Sequence, residues 1–129
     1  MNLLLDTCTF LWFISADKNL PTTVRQRIID PDNEVWLSVA SLWEAVIKHQ
    51  LGKLVAPQPV ASYLMEQRER HAIASLPLDE ASLKHLEKLS AHHRDPFDRI
   101  LICQATEHGL TLLTPDKAIT QYPVKVEWD

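Results

Sequence analysis

Glycine is scarce in this chain: Gly52 and Gly109 are the only two among 129 residues. No glycine-rich loop is available to cradle a phosphate, which excludes the P-loop and dinucleotide-binding fingerprints. No serine stands in a G-x-S-x-G elbow either, so a covalent serine hydrolase of that kind is excluded. Cysteine is equally rare. Cys8 and Cys103 both occur in apolar sequence and read as two buried thiols rather than a disulfide framework, which suits a reducing, cytoplasmic setting. No Cys or His partners stand at structural-zinc spacing, and the adjacent His92 and His93 are badly placed to chelate one ion. Net positive charge is missing as well. The formal charge is -4 and the pI is near 5.8, so the chain exerts no long-range pull on nucleic acid, and any such contact needs a local patch. No apolar run reaches the roughly 18 uncharged residues of a membrane span. The opening "MNLLLDTCTFLWFIS" lacks a basic leader and is broken by Asp6, so it does not read as a signal peptide.

What the chain has is apolar content, 46% of its residues, enough for one compact domain over 1–129. The apolar runs come in two kinds. "NLLLD", "EVWLS", "AIASLPL", "LTLLT" and "VKVEW" are short and not alternating, as strands buried on both faces are. Between them lie helical patterns. One starts at "TFLWFI"; one is opened by Pro21 and runs to Ile29; one spans 60–71. "SLWEAVIKHQLG" carries Ser41 as a cap, Glu44 three residues on and Gly52 as the stop. Asp79 is placed to cap a helix to Ser90, and Pro96 to open one that ends at Gly109. This alternation predicts an α/β fold with a parallel sheet covered on both faces. Right-handed crossovers then put the carboxyl ends of the strands on one edge, where open α/β sheets bind ligands.

Four acids fall at that edge. Asp6 ends the first strand, Glu44 lies early in the helix after the second, Asp98 lies in the first turn of the helix leading into the fourth, and Asp116 follows the fourth. Each has a local alternative. Asp6 can begin a turn, Glu44 can complete a capping box with Ser41 or pair with Lys48, Asp98 can sit against helix-start amides, and Asp116 can cap the "KAIT" turn. Together they pose one electrostatic problem, because clustered carboxylates repel. A hard divalent cation removes it, and Mg²⁺ on oxygen ligands can orient a water on a phosphodiester. Thr7 and Thr114 stand beside the first and last acids as possible supports, Asp95 reads as a helix cap, and Arg94, Arg99 and Lys48 are candidates for holding an RNA phosphate.

The motifs carry a family resemblance. "LLLDTCTFLWF", "SVASLWEAVIKHQLGKL", "HHRDPFDRILICQA" and "LTLLTPDKAI" occur in the order seen in PIN domains, and specifically resemble the toxin component of VapBC-type toxin–antitoxin pairs. The resemblance implies a PIN-like three-layer sandwich with a short, mostly parallel central sheet flanked by helices. It also implies a Mg²⁺- or Mn²⁺-dependent endoribonuclease with Asp6, Glu44, Asp98 and Asp116 as metal-site acids. Its implied partners are RNA, a cognate antitoxin and a second copy of the chain, with no membrane. The chain departs from the subgroup at Cys8, where histidine is common, and at Pro115, which removes a backbone donor beside Asp116. The rivals are a non-catalytic binding module with the same fold, suggested by the four tryptophans, and another metal-dependent phosphohydrolase. An aspartyl phosphatase or receiver domain is poorly supported, because position 8 is Cys rather than a second acid.

Overall fold

The computed structural model describes residues 1–90 and 95–129. Its strands are β1 (Asn2–Leu5), β2 (Glu34–Ser38), β3 (Ala74–Leu76), β4 (Thr111–Leu113) and β5 (Val126–Glu127). Its α-helices are α1 (Thr7–Ile14), α2 (Thr22–Ile29), α3 (Val39–Gln50), α4 (Val60–Arg70), α5 (Glu80–Leu83) and α6 (Pro96–His108), with short 3-10 turns at Leu86–Lys88 and Ile119–Gln121. The strands form one sheet in the order β3-β2-β1-β4-β5, and every neighbouring pair is parallel.

Successive residues of a strand face opposite sides, and β1 shows the consequence. Leu3 and Leu5 pack with Phe10, Val24, Val60 and Leu64 from α1, α2 and α4. Leu4 packs on the other side with Leu101, Ile102 and Ala105 of α6 and with Ile119. A sheet with two apolar faces needs a helical layer on each, which gives three layers. No helix among the described residues is long and apolar enough to cross a membrane.

The strand order reverses at β1. The chain runs outward through β2 and β3, then returns to the other side of β1 with β4. The crevice beyond the carboxyl ends of β1 and β4 is therefore the switch point of the sheet.

Three local expectations are corrected. Helix α3 is capped by Ser38, whose Oγ accepts from the Ala40 amide at 3.0 Å. Strand β2 hands directly into the helix, so Ser41 lies inside it, and its buried hydroxyl has no hydrogen-bond partner among the described residues. There is no Ser41–Glu44 capping box. The stretch after Asp79 is not one helix but α5 followed by a 3-10 turn. The Asp79 carboxylate accepts from Ser82 Oγ at 2.6 Å and meets His108 Nε2 at 3.1 Å, so it makes no backbone cap. Finally, Cys103 is buried but Cys8 is only half-buried and lines a cleft; both are free thiols.

Candidate active site

Asp6 follows β1 and caps α1. Its Oδ1 accepts from the Thr9 amide at 2.8 Å, so the helix starts at Thr7, two residues earlier than "TFLWFI" suggests. Its Oδ2 accepts from Thr114 Oγ1 at 2.5 Å. Thr114, at the end of β4, also accepts the Asp116 amide on the same hydroxyl oxygen, at 3.1 Å. One threonine thus joins the acid after β1 to the loop carrying the acid after β4. Asp116 Oδ1 accepts from the Ala118 amide at 2.9 Å, which is the local turn role foreseen for it.

Glu44 sits one turn into α3 and is buried. Thr7 Oγ1 donates to its Oε1 at 2.6 Å, and Lys48 Nζ lies 3.4 Å from its Oε2, one helical turn on. At the start of α6, Asp95 Oδ1 accepts from the amides of Phe97, at 2.9 Å, and Asp98, at 3.4 Å. Asp95 is therefore the helix cap, as its position suggests.

These side chains share one cleft of about 240 Å³. Asp6, Glu44, Asp95, Asp98 and Asp116 line it together with Thr7, Cys8, Lys48 and Pro115. Four elements far apart in sequence meet there, at the switch point of the sheet. Thr114 supports the cleft from behind, through Asp6. Arg99 donates to the Ser90 carbonyl at 2.8 Å and does not line the cleft. Arg94 lies outside the described residues.

Electrostatically the cleft is strained. Asp6 is only 5% exposed, and burial pushes its carboxyl above the ordinary value. The bonds from Thr114 and Thr9 oppose that shift, while the charge of Glu44 adds to it. Burial, with help from Asp6, pushes the Cys8 thiol up to about 12. That shift disfavours the thiolate, which is the reactive form of a cysteine.

The donor set fits a hard divalent ion. It is all carboxylate oxygen, and a buried carboxyl held beside a second acid gains from a positive charge. As the side chains stand, no three His, Cys, Asp or Glu among the described residues are drawn together tightly enough to enclose an ion. Mg²⁺ does not require such a cage, because it keeps several waters and takes few direct protein ligands.

Sequence reasoning missed Thr9 as the amide that Asp6 caps. The D-x-x-T spacing at a strand-to-helix junction was its signal. The two threonines it did mark, Thr7 and Thr114, both bond to acids.

Comparison with known proteins agrees with this architecture. The family model for the PIN domain matches residues 3–125. Ribonuclease VapC16 of Mycobacterium tuberculosis is 39% identical over 61 residues, a stretch spanning 47% of this chain and 43% of that protein. The chain thus matches less than half the length of that relative. Among solved structures, VapBC2 from Rickettsia felis, bound to a DNA fragment of its promoter, superposes with a TM-score of 0.76 at 16% identity, covering 100% of this chain and 99% of the other. DNA-bound VapBC from Salmonella typhimurium gives 0.74 at 20% identity, over 99% and 98%. At such identities the superpositions speak for the fold alone. The family model covers nearly the whole chain, and the chain belongs to the PIN domain family.

Proposed function

We propose that the chain is a metal-dependent endoribonuclease, the toxin of a toxin–antitoxin pair. The observation that carries this reading is the meeting of Asp6, Glu44, Asp98 and Asp116 in one cleft at the switch point of the sheet. The relative named as a ribonuclease supports the reaction class, and the similar VapBC structures support the biological setting.

The four acids would hold Mg²⁺ or Mn²⁺. Once bound, the ion supplies the charge that lowers the pKa of a water and stabilises the leaving oxygen of a phosphodiester. The protein's own groups do the rest. Thr114 holds Asp6 and Thr7 holds Glu44, each through a buried hydroxyl bond that fixes which way the carboxylate faces. Lys48 offsets the charge of Glu44, lines the cleft, and is our candidate for holding an RNA phosphate. A carboxylate cluster acts on phosphate, so base choice rests with residues outside it.

An apolar groove of about 360 Å³ adjoins the cleft and shares Cys8 and Lys48 with it; Leu11, Trp12, Leu54 and Tyr63 are among its walls. We place the antitoxin there, where it also blocks the acids. Trp12 packs against Trp128, with ring centroids 6.4 Å apart, and is partly buried. Trp43 is 58% exposed and meets Phe97 edge-on at 5.1 Å, and that pair is our site for a second copy. The free thiols accord with a reducing, cytoplasmic setting.

Titration calorimetry with Mn²⁺ tests the metal half of the proposal. Saturable binding that EDTA reverses is the expected result. No binding, with Lys48 and the threonines already satisfying the acids, would favour a PIN-fold binding module without catalysis.

A further inference from the structure

Gln104 is fully buried in α6, on the far side of the core from solvent, yet it is polar. Its Oε1 accepts from Ser38 Oγ at 2.5 Å, and its Nε2 donates to the Pro77 carbonyl at 3.2 Å. Ser38 is the last residue of β2 and the cap of α3; Pro77 follows β3. One amide thus ties α6 to the carboxyl ends of two strands and to the start of α3.

The amide can face only one way. Ser38 Oγ accepts from the Ala40 amide and still has its own proton to give to Oε1. The Pro77 carbonyl needs a donor. Gln104 supplies both at opposite ends of its side chain.

The geometry points to Gln104 as a positioning residue for the carboxylate cleft. This inference rests on the nuclease reading above. Helix α6 is also held by the apolar contacts of Leu101, Ile102 and Ala105 and, nearer the surface, by the Asp79–His108 and His85–Glu107 pairs and the Arg99–Ser90 bond. Apolar contact is non-directional and exposed polar pairs are weakened by water, so both fix the helix along its axis less tightly than buried hydrogen bonds do. A buried, fully satisfied pair of hydrogen bonds fixes it most closely. The axial position of α6 sets Asp98, and α3 carries Glu44, so the Ser38–Gln104 bond sets the two acids relative to each other. Neither residue touches the cleft, and both act through the helices they join.

The test is Gln104→Met, which keeps an unbranched chain of similar length and loses both bonds. Gln104→Glu is its conservative companion, because a buried, protonated carboxyl offers one acceptor and one donor as the amide does. Val24→Ala, in the opposite core layer, serves as a control for general destabilisation. Crystal structures and steady-state cleavage are compared at a temperature where all are folded. The inference expects α6 to shift along its axis in Gln104→Met. It expects kcat to fall by about ten- to a hundredfold with KM little changed, since small misplacements of reacting groups cost that much. Gln104→Glu restores the register and most of the rate, and Val24→Ala keeps the parent kcat. If Gln104→Met does not fold, Ser38→Ala takes its place under the same expectations. An unshifted α6 overturns the inference whatever the activity, as does a shifted α6 with parent kcat, or an equal loss in the control. A shifted α6 in a protein whose parent cleaves no RNA leaves the positioning role standing and removes the nuclease reading instead.

Discussion

Thr114 Oγ1 lies 2.5 Å from Asp6 Oδ2, although 108 residues separate the two in sequence. The same hydroxyl oxygen accepts the Asp116 amide. Two acids of the cleft therefore depend on one threonine. Thr114→Val keeps the β-branched shape but loses both bonds. We expect the fold to survive and Mn²⁺ affinity to drop by about tenfold or more, the usual scale for losing a group that orients a ligand. Calorimetry on both proteins checks this; unchanged affinity would reduce Thr114 to a strand-end contact.

Asp6 gives a prediction about pH. Burial raises its folded-state pKa above the ordinary 3.8, so the folded chain keeps this proton to higher pH than the unfolded chain does. Below 3.8 the group is neutral in both states and costs nothing. As pH rises from there toward the folded value, stability falls, and the loss persists at neutral pH. Asp6→Asn removes the ionisation and keeps an oxygen for the Thr9 amide. In EDTA at pH 7 the variant should melt higher than the parent, with the gap closing near pH 3. A lower melting temperature at pH 7 would mean that Asp6 is a net stabilising cap rather than a strained acid.

Asp98→Asn separates site from scaffold. Asp95, not Asp98, accepts the helix-start amides of α6. The substitution keeps the side chain's shape and leaves the Asp95 cap in place, so the variant should fold while binding Mn²⁺ much more weakly. A destabilised variant with parent-like affinity would return Asp98 to a structural role.

Trp43→Ser tests self-association at the Trp43–Phe97 pair. Light scattering at micromolar concentration should give a dimer for the parent and a species near 14.8 kDa for the variant. A parent that is already monomeric, or a variant that still pairs, would contradict this placement.

Much of this architecture was legible because short apolar runs alternate with helical patterns, and parallel strands end on one edge. Asp6 follows the first such run directly and Asp116 lies shortly after the fourth, so topology brings both to one edge. Other features depend on packing that no local pattern carries. Ser41 and Glu44 match a capping box, yet β2 runs straight into α3, and Ser38 takes the cap one turn earlier. Glu44 instead meets Thr7, 37 residues away, and Ser38 meets Gln104, 66 residues away. The helix expected from Asp79 to Ser90 is instead α5 and a 3-10 turn, and Asp79 meets Ser82 and His108, the latter a contact 29 residues away that no local pattern carries. The tryptophans suggested an interface, and only the folded chain tells Trp12, tilted against Trp128, from the exposed Trp43.

The central claim is that the carboxylate cleft cleaves RNA with a divalent ion. Its most direct test is to incubate antitoxin-free protein with a panel of structured RNAs, tRNAs and rRNA loops included, in Mg²⁺, in Mn²⁺ and in EDTA, beside an Asp6→Ala variant. The account predicts site-specific cleavage with either ion, reduced by added salt as phosphate contacts are screened, and none in EDTA or with Asp6→Ala. Cleavage that persists in EDTA, or that Asp6→Ala performs as well as the parent, would contradict it.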